Sequence, residues 1–166
     1  RRASARLNVT KHTIAPAIGQ DAPLSLTKTA TTRAELSTIT SATEPHLPLY
    51  KISALDAVTS GKPSVILFVT PAFCRTATCG PQLDILTSLQ IELGNEVNFV
   101  HVEIYDNPDE IHGDITKGKI SEEVKKWNLP SEPWTFLISS DGTISARFEG
   151  LATSEEIKEA LYPIMN

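Results

Sequence analysis

The sequence predicts an α/β domain, a mixed sheet of about four core strands covered by helices on both faces, and three observations carry that expectation. The run SVILFVT, Ser64–Thr70, is apolar on both parities, as suits a central strand buried on both faces. Residues Leu83, Leu86, Leu89, Gln90 and Leu93 follow it at helical spacing. The stretch WTFLISSDGTISARFEG reads as two strands joined at Asp141-Gly142, one of the stronger short-range hairpin signals.

Each element has its own local reason. Residues 1–48 are rich in Ser, Thr, Ala and Pro without a sustained period, so they are expected as an irregular arm, with AELSTI as a short turn, ahead of a domain at 49–166. Asn8-Val9-Thr10 has the form of a glycosylation tripeptide, a pattern common by chance. Ser53 with Asp56 has capping-box spacing, and Gly61 and Pro63 stop the helix they open, over about 54–60. After the first strand, the helix at 81–93 is expected to close on Gly94 in a left-handed cap. EVNFVHVEIY alternates, placing Val100, Val102 and Ile104 on one face and Phe99, His101 and Glu103 on the other. A polar loop leads to Ser121, a cap for a helix with Val124 and Trp127 on one side, so a helical crossover to a further parallel strand is expected. Thr153 and Glu156 repeat the capping-box spacing, and Ile157, Ala160 and Leu161 form the buried stripe of the last helix.

Composition narrows the partners. A net charge of −5 without a basic cluster argues against nucleic acid and anionic membrane surfaces. The longest apolar run is far short of the roughly 20 residues that span a bilayer, so no membrane insertion is expected of the chain as given. It begins at Arg1, which suggests a leader removed from an extracytoplasmic protein, whether periplasmic, secreted or anchored at the cell surface. Two cysteines, Cys74 and Cys79, are too few for a disulfide scaffold or a four-ligand structural zinc site, so redox pairing leads metal binding.

The element order, together with TPAFCRTATCGPQLD, FVHVEIYDNP and LPSEPWTFLISSDG, resembles the thioredoxin superfamily over about residues 60–163, and more narrowly a group of bacterial thioredoxin-like proteins. The resemblance implies a thioredoxin fold, a redox role in cell redox homeostasis and no organic cofactor. It also implies a cis peptide at Glu132-Pro133 beside the cysteines, with Phe73, Arg75 and Trp134 shaping the site. The sequence departs from the family in having four residues rather than two between its cysteines, Phe73 in place of Trp, and no carboxylate in VILFV.

Cys74, placed after the strand at the expected helix start and next to Arg75, is read as the attacking thiol, since both features favour thiolate. Cys79 is its resolving partner. On a regular helix a five-residue offset separates Cα atoms by about 8.7 Å, beyond disulfide reach. A helix starting at Pro81 leaves CRTATC as a loop that can close; one starting near Arg75 holds the thiols apart, and both remain open at this level.

The function expected is thiol-disulfide oxidoreduction on protein thiols or disulfides, or on a small thiol or peroxide, by a monomer. A binding module with a structural disulfide is the rival. Thr70-Pro71 resembles the peroxiredoxin site, but that family's Thr or Ser stands three residues before the cysteine, where Pro71 lies here. The copper-delivering assembly proteins with this fold use two Cys and one His. Neither His101, on a strand, nor His112, in the long loop, follows the hairpin where that ligand belongs, so no metal is expected. Trp127 and Trp134 read as core and site-lining aromatics.

Overall fold

The computed structural model describes residues 14–165. Asn8-Val9-Thr10 lies outside them. Four strands, β1 (Ser64–Val69), β2 (Asn98–Glu103), β3 (Trp134–Ile138) and β4 (Ile144–Glu149), form one sheet in the order β2-β1-β3-β4. β1 pairs with β2 in parallel and with β3 antiparallel, and β3 pairs antiparallel with β4.

Strand parity divides the core. Val65, Leu67 and Val69 of β1 and Leu137 of β3 meet α3 (Cys79–Leu93) and α6 (Ser154–Leu161) through Leu83, Leu86, Leu89, Ile157 and Leu161. Ile66, Phe68, Val100, Val102 and Phe136 face the other way, onto α2 (Ala54–Thr59), α5 (Glu122–Lys125) and Trp127. On that side Trp127 lies 4.7 Å from Phe68 and 4.8 Å from Phe136, centroid to centroid. β1 is buried throughout and apolar from Val65 to Val69, because both its faces are covered.

Residues 14–48 hold one short helix, α1 (Arg33–Leu36), and follow the domain surface. Their backbone bonds the start of β4, with Ile144 N–H donating to Gln20 O at 2.9 Å. Ser25 is fully buried and accepts the indole N–H of Trp127 at 3.0 Å.

Two expectations are corrected. β3 runs antiparallel to β1, so the segment after β2 makes no parallel crossover. α4 (Pro108–Ile111) and α5 have four residues each, about 6 Å of rise against the roughly 20 Å of a six-residue strand, too short to traverse the sheet. The segment therefore leaves β2 and enters β3 at one end of the sheet, the end where β1 runs into the cysteine loop. Gly94 is right-handed (φ −64°) rather than left-handed, because the amides of Glu96 and Val97 both donate to Leu93 O and finish the helix without it.

Both expected capping boxes form. Ser53 Oγ accepts the Asp56 amide at 3.0 Å, and Thr153 Oγ1 accepts the Glu156 amide at 3.2 Å. Ser53→Ala and Thr153→Ala are each expected to lower unfolding free energy by about 1 kcal/mol in urea titrations, with unchanged m-values.

Candidate functional site

The chain leaves β1 at Val69 and runs through Thr70 and an irregular loop to Thr78, and α3 begins at Cys79. Cys74 and Cys79 are disulfide-bonded, with Cα atoms 6.2 Å apart. Of the two openings left by the sequence, the loop is the one adopted. Pro81 falls within the first turn of α3, where a missing N–H costs no intrahelical bond.

This placement corrects the expectation that Cys74 occupies the helix start. Cys79 holds it, because the ring can close only if residues 74–78 stay off the helix. The two sulfurs thereby differ in kind. Cys79 is 1% exposed and packs in the core beneath α3, while Cys74 is half-buried in the loop. The Thr76 hydroxyl stands between them, 3.2 Å from Cys74 Sγ and 3.9 Å from Cys79 Sγ, and 2.8 Å from Thr78 Oγ1. Sequence reading missed Thr76, since a threonine in a Thr-rich loop carries no pattern.

Two carboxylates stand at the same end of the sheet. Glu132 precedes Pro133 across a cis peptide bond, and its Oε2 accepts the Thr70 amide at 3.1 Å. Burial pushes Glu132 up to about 7; nearby Glu103 adds to the rise, while the Thr70 amide and the Arg75 charge oppose it. Glu103, the last residue of β2, is also raised by burial. Its Oε2 accepts the Ser41 amide at 2.8 Å and the Ser41 hydroxyl at 2.7 Å. Ser41 Oγ in turn accepts the amide of Ala72 at 3.2 Å and lies 3.4 Å from Thr70 Oγ1. Arm, β2 and cysteine loop are thus tied through one buried acid. Glu103 and Ser41 were also missed; the only available signal was an acid ending an otherwise apolar alternating strand.

The remaining expected site residues divide. Phe73 packs edge to face on Tyr105, centroids 6.1 Å apart, beside the loop. Arg75 is exposed and close enough to bear on the ionisation of Glu132 and Tyr105. Trp134 is not at the cysteines: it belongs to the core on the opposite sheet face, stacks on Phe136 and lies under the Arg147 guanidinium at 5.5 Å. Its parity along β3 puts it there.

His101 is 3% exposed and uses both ring nitrogens. Nε2 lies 3.1 Å from the Val69 carbonyl and must donate to it, which leaves Nδ1 to accept from the Tyr50 hydroxyl 2.7 Å away. Burial holds its pKa down at about 4. His112 sits at a left-handed turn (φ 45°) after α4 and is exposed.

No protein-family model and no curated protein matches the chain by sequence. Solved structures do match it by shape. One is a Chlorobium tepidum protein assigned as a thiol:disulfide interchange protein DsbE, with a TM-score of 0.60 and 11% identity over 90% of this chain and 99% of that one. Another is a thiol:disulfide interchange protein of the thioredoxin family from Chlorobium tepidum TLS, with a TM-score of 0.54 and 12% identity over 89% of this chain and 100% of that one. With β2-β1-β3-β4 order and helices on both faces, the chain has the thioredoxin fold, and its disulfide-bonded Cys-x4-Cys pair lies where β1 leads into α3.

Proposed function

We propose that the chain is a thiol-disulfide oxidoreductase in which Cys74 and Cys79 cycle between disulfide and dithiol. The observation that carries this reading is the asymmetry of the pair: Cys74 is half-buried in the loop, while Cys79 is buried at the first turn of a 15-residue helix. A substrate thiolate attacks Cys74 Sγ, the Cys74–Cys79 bond breaks, and its electron pair leaves on Cys79. The amides and dipole at the start of α3 favour that thiolate, and a more acidic leaving thiol departs faster. A second substrate thiolate then attacks the substrate sulfur of the mixed disulfide and releases Cys74. Two electrons and two protons have entered the protein, and the substrate pair has become a disulfide. Run backwards, the same steps reduce a disulfide.

Protein thiols are the substrate class this reading takes. An oxidising, extracytoplasmic compartment fits a pair whose bonded form persists. Glu132 and Glu103 are the nearby groups able to take up or release protons as the pair opens.

The test is a redox titration with alkylation of free thiols at each potential. The reading requires a midpoint above about −300 mV. A midpoint below that value assigns the bond to a structural staple and the chain to the binding modules.

A further inference from the structure

Among the described residues, two buried side-chain atoms have no hydrogen-bond partner, Gln82 Nε2 and Thr135 Oγ1. Both belong to the side of the sheet that holds Cys79. Gln82 is on the buried face of α3, and Thr135 shares its parity along β3 with Leu137, which packs in the same cluster as Cys79. A buried donor without a partner costs free energy, so it persists only where something offsets that cost. We propose that Gln82 is a positioning residue of the redox reaction: when the disulfide opens, its side-chain N–H donates a hydrogen bond to the Cys79 thiolate. The proposal rests on the redox reading above.

Three observations select this role. Gln82 lies three residues after Cys79 on one helix, and the two are 0% and 1% exposed. Residues at that spacing are neighbours on a helix surface, and the side chain of the later one leans back toward the N-terminus, over the turn of the earlier. The amide group is also held in one orientation. The Ala152 N–H can only donate, so the atom 2.7 Å from it is the oxygen, Oε1, and the NH2 group is turned away from it. Ala152 packs in the same cluster as Cys79, so this anchor stands on the side of α3 where the buried sulfur lies. The Thr135 hydroxyl has no such anchor and turns about its C–O bond. Finally, the partner that the donor lacks is one that the reaction creates: a disulfide sulfur is a weak acceptor, whereas a thiolate is charged and accepts strongly.

The step balances without any change in the protonation of Gln82. A substrate thiolate bonds Cys74 Sγ, the Cys74–Cys79 bond breaks, its electron pair stays on Cys79, and Gln82 gives a hydrogen bond but no proton. Its donor is satisfied in the reduced protein and orphaned in the oxidised one, so the burial of Gln82 weighs against the disulfide. In the reverse direction the hydrogen bond is given up as Cys79 attacks the mixed disulfide. Gln82 thereby makes the pair easier to reduce than apolar packing alone would.

The experiment measures the equilibrium constant for reduction by glutathione in the wild-type protein and in Gln82→Met, where the new side chain has a similar shape and helix propensity but no N–H. The constant is expected to fall about tenfold, a shift of about 30 mV to more negative potential. Met also leaves the Ala152 amide without its acceptor, but that loss acts in both redox forms. Urea titrations of the two forms separate the effects: the reduced protein is expected to lose more stability than the oxidised one, by the same tenfold factor. If Gln82→Met does not fold, Gln82→Glu keeps an acceptor for the Ala152 amide. Its second oxygen, once ionised, repels a thiolate, so the constant is expected to lie below the wild-type value by a margin that widens as pH rises. A constant within about twofold of wild type in the variant that folds, or equal losses of stability in its two redox forms, overturns the role of Gln82. Where glutathione opens the wild-type disulfide and the variant does not differ, only this role falls; where glutathione cannot open it, the oxidoreductase falls and the role with it.

Discussion

Cys74→Ser is expected to take exchange with disulfide or dithiol substrates down to the uncatalysed background, whereas Cys79→Ser accumulates a stable mixed disulfide on Cys74. The difference follows from where the sulfurs lie. An incoming sulfur needs an approach in line with the bond it breaks, and at 1% exposure Cys79 offers none. Without Cys74 nothing can be attacked from solvent. Without Cys79 the first attack still occurs, but no thiol stands beside the mixed disulfide to release it. Position and access are divided between the two: Cys79 is the first residue of α3, and Cys74 is the more accessible one, in the loop. In the reduced protein, alkylation at neutral pH is therefore expected to be faster at Cys74. Mass spectrometry of the variants after incubation with a disulfide peptide reads the outcome. A peptide adduct on Cys79 in Cys74→Ser reverses the roles, and full activity in both variants removes the pair from the chemistry.

The second large effect is on stability in acid. Below about pH 6.5 an unfolded chain protonates His101, while the folded protein does so only near 4. Over that window the unfolded state binds more protons, so stability falls as pH falls. A window of about 2.5 pH units at 1.36 kcal/mol each amounts to about 3 kcal/mol for this fully buried ring. Glu132 acts in the opposite sense. Its folded pKa of about 7 lies above the ordinary 4.5, so the folded state holds the extra proton and stability falls as pH rises through that range. Glu132 is half-buried, and solvent screening reduces its share to about 1–2 kcal/mol. Glu103 tilts the same way. The expected wild-type profile is nearly level from pH 7 to 5 and drops below it. His101→Gln keeps a donor for Val69 and an acceptor for Tyr50, and it is expected to remove the drop and leave stability rising toward acid. Urea midpoints measured from pH 4 to 8 decide it: parallel profiles for the two proteins would show that His101 does not titrate as described.

Much of the fold was legible because its signals are local. Ser53 with Asp56 and Thr153 with Glu156 cap their helices through bonds between residues three apart, and both caps form. The alternation of β2 assigned Phe99, His101 and Glu103 to one face, and Phe99 indeed packs on the α3 side while Val100 and Val102 pack on the other. What failed depended on direction across space. The sense of β3 was misjudged because periodicity in α5 shows a helix but not whether it crosses the sheet. Trp134 was placed at the site from its neighbourhood to Pro133, although one step along a strand reverses the face.

The sequence by itself determined the class of the protein: strands and helices in this order, an apolar central strand, and two cysteines in the segment joining β1 to α3. Those features depend on a few residues at a time, and propensity, capping and parity express them directly. Tertiary structure alone decided the chemistry of the pair. It set the start of α3 at Cys79 rather than Cys74, leaving Cys74 half-buried in the loop and Cys79 buried at the helix's first residue. It also brought Ser41, Thr70, Glu103 and Glu132 together, residues up to 91 positions apart in numbering (132 minus 41), within one hydrogen-bonded group. No local pattern encodes such a meeting, because burial, which raises both carboxylates and closes the disulfide end of the sheet, exists only once distant segments have packed.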